Sequence, residues 1–123
     1  MGKQNKKSIL LVDDDKYILT VFSRILQKQA YNVETAETGQ EALEKVENNT
    51  FDLAIIDVKL PDTNGTELLA KIHTINPKMI KIGITGFPSL DDAMKIMDQG
   101  ATAYLVKPVE SEELVKLINE KLK

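Results

Sequence analysis

Two rhythms of polar and apolar positions alternate along the whole chain. Short, nearly unbroken apolar runs lie at Ser8–Val12, Asp52–Asp57, Met79–Thr85 and Ala103–Val106. Such runs suit parallel strands covered on both faces. Asn32–Ala36 alternates instead and reads as a weaker, edge-like strand. Between these runs the period is helical. Ile18, Phe22, Ile25 and Leu26 form one apolar stripe. Thr38 and Glu41 have the spacing of a capping box ahead of Ala42, Leu43 and Val46. Asn64 is placed to cap a helix bearing Leu68, Leu69, Ile72 and Ile75, and Pro77 stops it. Ser89 is placed to cap Leu90–Gln99, with Gly100 as its terminator. Ser111 is placed to cap Glu112–Leu122, with Leu114, Ile118 and Leu122 on one face. Strict alternation of five strands with five helices predicts one α/β domain with a mainly parallel sheet. Right-handed crossovers then put helices on both faces. Gly83 runs against the preference of its strand, which suggests close packing there.

Composition narrows the picture by exclusion. The 123 residues suit one domain, with 42% hydrophobic and 28% charged positions, the balance of an ordinary globular protein. A net charge of −3 gives no general reason to bind nucleic acid or a membrane surface. There is no cysteine, hence no disulfide framework or thiolate metal site, and the single histidine, His73, excludes a multi-histidine centre. His73 lies off the main apolar stripe and reads as an ordinary surface residue. Met79, Met94 and Met97 read as core or partly buried packing. Residues 1–7 form a basic start without a following apolar stretch, so they read as a solvated tail and not a signal peptide; the expected location is cytoplasmic.

In an open α/β sheet, ligands sit beyond the carboxyl ends of the strands. The first strand ends in Asp13, Asp14 and Asp15, the third in Asp57, the fourth in Thr85 and Gly86, and the fifth in Lys107 and Pro108. Asp13 or Asp14 beside Asp57 would gather carboxylates at one sheet edge. Two like charges about 4 Å apart repel by about 4 kcal/mol at an effective dielectric of about 20. Lys107 is the evident compensating cation, and a hard divalent ion (Mg²⁺, Mn²⁺ or Ca²⁺) is the natural second. A carboxylate beside such an ion, a lysine and a hydroxyl can attack phosphorus to give an aspartyl phosphate. Three acids in the first loop argue against direct phosphate binding of the mononucleotide or flavin kind. The chain has no length for the cap domain that aspartyl-nucleophile phosphatases usually carry.

The motifs LLVDDD (Leu10–Asp15), LAIIDVKLPDTNG (Leu53–Gly65), ITG (Ile84–Gly86) and AYLVKP (Ala103–Pro108) resemble, in order and spacing, those of response-regulator receiver domains of two-component signalling, the chemotaxis-regulator-like kind. The likeness spans Ser8 to Leu122. It implies a flavodoxin-like (βα)5 three-layer sandwich with sheet order 2-1-3-4-5, as a single domain over residues 1–123 with a core at about 8–122. It implies that Asp57 is the phosphoacceptor. Asp13, Asp14, Asp57 and the Lys59 carbonyl would bind Mg²⁺, with Mn²⁺ as the alternative. Lys107 and Thr85 would contact the phosphoryl group. Thr85 and Tyr104 would be the switch pair, and Lys59 and Phe87 would tune phosphoryl lifetime. The Lys107–Pro108 bond resembles one that is often cis in the family. The implied partners are a sensor histidine kinase or histidine phosphotransfer protein, and a downstream effector reached through the fourth helix, fifth strand and fifth helix. No helix-turn-helix or basic stripe is present, so no direct nucleic-acid binding is expected of this segment, nor any membrane contact. The expected state is a monomer that can dimerise on phosphorylation.

Overall fold

The computed structural model describes residues 6–86 and 90–122, without the side chains of 90–92. Phe87 and Ser89 therefore lie outside the described residues. The elements follow one another as β1 (Ser8–Val12), α1 (Lys16–Lys28), β2 (Asn32–Ala36), α2 (Gly39–Asn48), β3 (Leu53–Asp57), α3 (Gly65–Ile75), β4 (Ile80–Thr85), α4 (Leu90–Asp98), β5 (Ala103–Val106) and α5 (Ser111–Lys121). The strands pair in parallel in the order β2-β1-β3-β4-β5. This is the flavodoxin-like (βα)5 arrangement.

The side-chain period of a strand is two, so each central strand feeds two cores. Leu10 and Val12 of β1, with Ala54 and Ile56 of β3, pack against Ala42 and Val46 of α2, Leu68, Leu69 and Ile72 of α3, and Ile96 of α4. Ile9 and Leu11, with Leu53, Ile55, Ile82 and Ile84, pack against Leu19, Phe22 and Leu26 of α1 and Leu114 and Ile118 of α5. The sheet is thus the middle of three layers. Both faces of β3 are buried, which is why its sequence is apolar without alternation until Asp57.

Gly83 has a definite reason. A Cβ there would lie 2.7 Å from Ile96 Cγ2, so its absence lets α4 settle onto β4. Gly100, at φ +105, ends α4 and donates its N–H to Met97 O at 3.1 Å.

Three expectations are corrected. Ser111 does not cap α5. The helix starts at Ser111, and Glu110 holds the cap position without a side-chain hydrogen bond. Met94 and Met97 are not packed inside: they are 54% and 42% exposed, since α4 turns Ala93 and Ile96 inward instead. His73 is not an ordinary surface residue. Its Nδ1 lies 2.8 Å from Nζ of Lys81, and the backbone at Gly100 closes over its ring. Lys81 is only 1% exposed, and burial lowers the pKa of its ammonium.

Candidate functional site

The sheet order reverses direction at β1 and β3: from β1 the chain steps outward to β2, then crosses back to β3. Such a switch point leaves a crevice beyond the carboxyl ends of the two strands. Asp13 follows β1 and Asp57 ends β3, so the topology alone brings them together.

Each acid of the Asp13–Asp15 run has a different task. Asp15 caps α1, accepting from the N–H groups of Tyr17 (2.9 Å) and Ile18 (3.4 Å). Asp13 is 2% exposed and accepts the Asp15 N–H through Oδ1 at 2.9 Å. Asp14 is exposed at the mouth. One carboxylate oxygen from each of Asp13, Asp14 and Asp57 lies within 4.8 Å of the others. Asp57, also 2% exposed, accepts the Lys59 N–H through Oδ1 at 3.0 Å and the Lys107 ammonium through Oδ2 at 2.9 Å. Lys107 Nζ is 3.9 Å from Asp13 Oδ2. Lys107 follows β5 through a backbone bond from its N–H to Thr85 O at 2.8 Å, and its bond to Pro108 is cis.

The electrostatics follow from this geometry. Burial pushes the Asp13 carboxyl up to about 6; the Asp15 N–H opposes the rise, Asp57 adds to it, Lys107 opposes it and Asp14 adds to it. Lys107 moves the other way for an amine under burial. Desolvation works to lower its pKa, but the hydrogen bond to Asp57 and the charges of Asp13, Asp57 and Asp14 outweigh it and raise it.

Asp13, Asp14 and Asp57 beside the Lys107 ammonium concentrate negative charge at this corner. An all-oxygen donor set of this kind fits a hard divalent cation such as Mg²⁺. Beside it a cleft of about 320 Å³ is lined by Asp57, Lys59, Asn64, Thr85, Gly86 and Lys107. Thr85 is 3% exposed at its wall. Tyr104 lies opposite Gly83 in the register of β4 and β5 and is 40% exposed. Asp13, Asp14, Asp57, Thr85, Gly86 and Lys107 thus lie together at one corner, whereas Asp15 is spent on capping α1 and Tyr104 stands on the outer strand.

One contact at this corner escapes a sequence reading. The Asp62 carboxylate, in the loop after β3, accepts the N–H groups of Gly39 (2.8 Å) and Gln40 (3.0 Å) at the start of α2. The PD pair at 61–62 reads only as a turn signal.

Residues 9–119 match the model of the response regulator receiver domain. The chain belongs to that family, the receiver domains of two-component signalling. It is 36% identical over 114 residues to the transcriptional regulatory protein ZraR of Klebsiella oxytoca, covering 93% of this chain and 26% of that protein. The chain thus spans about a quarter of the length of the curated relatives it matches. Among solved structures, a CheY-like receiver domain protein from Methanospirillum hungatei is 47% identical with a TM-score of 0.93, covering 96% of this chain and 94% of that one. The BeF3-activated receiver domain of DrrB, a protein of Thermotoga maritima, is 32% identical with a TM-score of 0.89, covering 96% and 98%.

Proposed function

We propose that Asp57 takes a phosphoryl group from a phosphohistidine on a sensor kinase or histidine phosphotransfer protein. One observation carries this: a buried carboxylate at a strand end is held by Lys107 at 2.9 Å, with two further carboxylates within 4.8 Å. A structural ion pair has no use for the extra acids, because each adds repulsion.

In the transfer, one Asp57 oxygen attacks phosphorus and the phosphorus–nitrogen bond of the donor breaks. The freed imidazole nitrogen keeps the bonding pair, and Asp57 becomes an acyl phosphate. Asp13, Asp14, Asp57 and the Lys59 carbonyl would hold Mg²⁺, or Mn²⁺ in its place. The ion supplies charge neutralisation to the phosphoryl oxygens. Asp57 keeps Oδ1 on the Lys59 N–H and Oδ2 on the ammonium of Lys107, which also lines the cleft. Lys107 and the Thr85 hydroxyl then bind the transferred group. The acyl phosphate hydrolyses back to Asp57, and Lys59 and Phe87 tune its lifetime. The chain is accordingly a switch that catalyses its own loading and unloading, not an enzyme acting on an external substrate.

Loading shifts the pull on Thr85 and Lys107. Tyr104, now turned outward, changes position with Thr85, and the surface of α4, β5 and α5 is read by a downstream effector. The whole chain acts as one receiver domain with a core over residues 8–122, a monomer that can dimerise on phosphorylation. Its place is the cytoplasm, without direct contact to nucleic acid or membrane. No helix among the described residues is long and apolar enough to cross a bilayer. The similarity to a BeF3-activated receiver domain supports the reading. Incubation with radiolabelled phosphoramidate and Mg²⁺ tests it. Label should appear in the wild type and be absent from Asp57→Asn and from samples in EDTA. Equal labelling of the variant would refute the assignment.

A further inference from the structure

The loop between Asp57 and α3 is fixed at two separate places. At its base, the Gly65 N–H donates to Val58 O at 2.7 Å, and Lys59 and Asn64 form an antiparallel bridge. Gly65 permits this: a Cβ there would lie 2.4 Å from Val58 Cα and 2.6 Å from the Asp57 carbonyl oxygen. At its far end, Asp62 spends both carboxylate oxygens on the first turn of α2, Oδ1 on Gly39 and Oδ2 on Gln40. Thr38 serves the next N–H, that of Glu41, at 3.1 Å. The start of α2 is therefore satisfied partly by its own cap and partly by a loop more than twenty residues further on. The approach is close as well. A Cβ on Gly39 would lie 2.3 Å from Thr63 Cγ2.

Bonds from N–H groups to an ionised carboxylate are the strong kind. The Gly39 and Gln40 bonds hold the Asp62 carboxyl below its ordinary pKa, as expected if the charged form makes the clamp.

We propose that Asp62 is a positioning residue for the metal and phosphoryl site. It pins the loop onto α2 and so fixes the peptide of Lys59. The proposal rests on the reading of Asp13, Asp14 and Asp57 as a metal-assisted phosphoacceptor site. Asp57 holds Lys59 through its N–H at 3.0 Å, and an N–H bond by itself lets a peptide plane tilt. The remainder of the loop, tied by the Asn64 bridge on one side and by Asp62 on the other, limits that tilt. A carbonyl offered to a cation binds well only if it is already aimed, and groups that orient such donors weigh heavily in affinity.

The test uses the full chain and Mn²⁺ as the probe, with free Mn²⁺ read by electron paramagnetic resonance. Asp62→Ala should weaken Mn²⁺ binding roughly tenfold, and Asp62→Asn, which keeps one acceptor oxygen, should weaken it less. The Lys59 amide resonance should move in both. Gly39→Ala disturbs the same contact from the other side and should also weaken binding. Adding Thr63→Ala to it should restore binding, because the obstructing Cγ2 is gone. Should Asp62→Ala not fold, the Gly39 and Thr63 pair decides the matter alone. A lower urea midpoint with unchanged Mn²⁺ affinity would make Asp62 a helix cap and nothing more, overturning the proposal. A wild type that takes up neither Mn²⁺ nor label would instead overturn the underlying reading, and the positioning role with it.

Discussion

Replacing Asp13 by Asn should stabilise the metal-free domain, and the gain should depend on pH in a defined direction. The substitution keeps the shape and the Oδ1 acceptor for the Asp15 N–H at 2.9 Å. What it removes is a negative charge that burial and the neighbouring acids disfavour. The folded-state value of about 6, against an ordinary 3.8, means that the native protein holds this proton more tightly than the unfolded chain. Ionising Asp13 therefore costs stability. The cost is fully present above the folded value and fades as pH falls through about 6 toward 3.8. At about 1.4 kcal/mol for each tenfold change, it amounts to about 3 kcal/mol at pH 8 and about half that at pH 5. These are upper figures. Urea unfolding in EDTA at several pH values is the assay. The gain of Asp13→Asn over wild type should stay level from pH 8 to about pH 7 and then shrink toward pH 4. Adding Mg²⁺ should stabilise the wild type and scarcely affect the variant. A variant less stable than wild type at pH 8, or a gain independent of pH, would contradict the electrostatic account of the site.

Other positions give sharper contrasts. Lys107→Met leaves Asp57 without its 2.9 Å partner and should cost about 2 kcal/mol in urea melts at pH 8, less than for a fully buried pair because the ammonium is partly solvated. Gly65→Ala forces a Cβ against the backbone of Val58 and Asp57 and should cost about 3 kcal/mol or more, whereas Gly83→Ala meets the Cγ2 methyl of buried Ile96, a side chain that can shift with α4, and should cost about 2 kcal/mol; a melting temperature lower for Gly83→Ala than for Gly65→Ala would be evidence against this packing. The stability of Lys81→Met relative to wild type should fall as pH rises from 7 toward 10 in thermal melts, because burial lowers the pKa of Lys81 and so makes its charged form a cost that disappears on deprotonation; a difference independent of pH would contradict this.

Much of the fold is legible because parallel strands covered on both faces leave apolar runs, and because the acids that interrupt them fall at strand ends. Asp13, Asp14, Asp57, Thr85 and Lys107 could be named from position alone, since topology converts strand ends into one crevice. Most of the misses depend on contacts far along the chain. Lys81 sits between Ile80 and Ile82, where covering both faces of β4 buries even a lysine, yet its partner His73 belongs to α3 and lies beyond Pro77. The helical period placed Met94 and Met97 near an apolar face. Their exposure depends on how α4 lies over Gly83, which no local pattern encodes. Asp62 has the appearance of a turn residue, and only the folded loop brings it to α2. Ser111 has the chemistry of a cap but falls one residue inside the helix.

The central claim is that Asp57 carries the phosphoryl group, and chemical trapping tests it most directly. After loading with acetyl phosphate and Mg²⁺, borohydride reduces an aspartyl phosphate to homoserine, which tandem mass spectrometry locates by residue. The account predicts homoserine at position 57, dependent on the divalent ion and lost on prior hydrolysis. Homoserine at Asp13, Asp14 or any other acid, with Asp57 untouched, would contradict it.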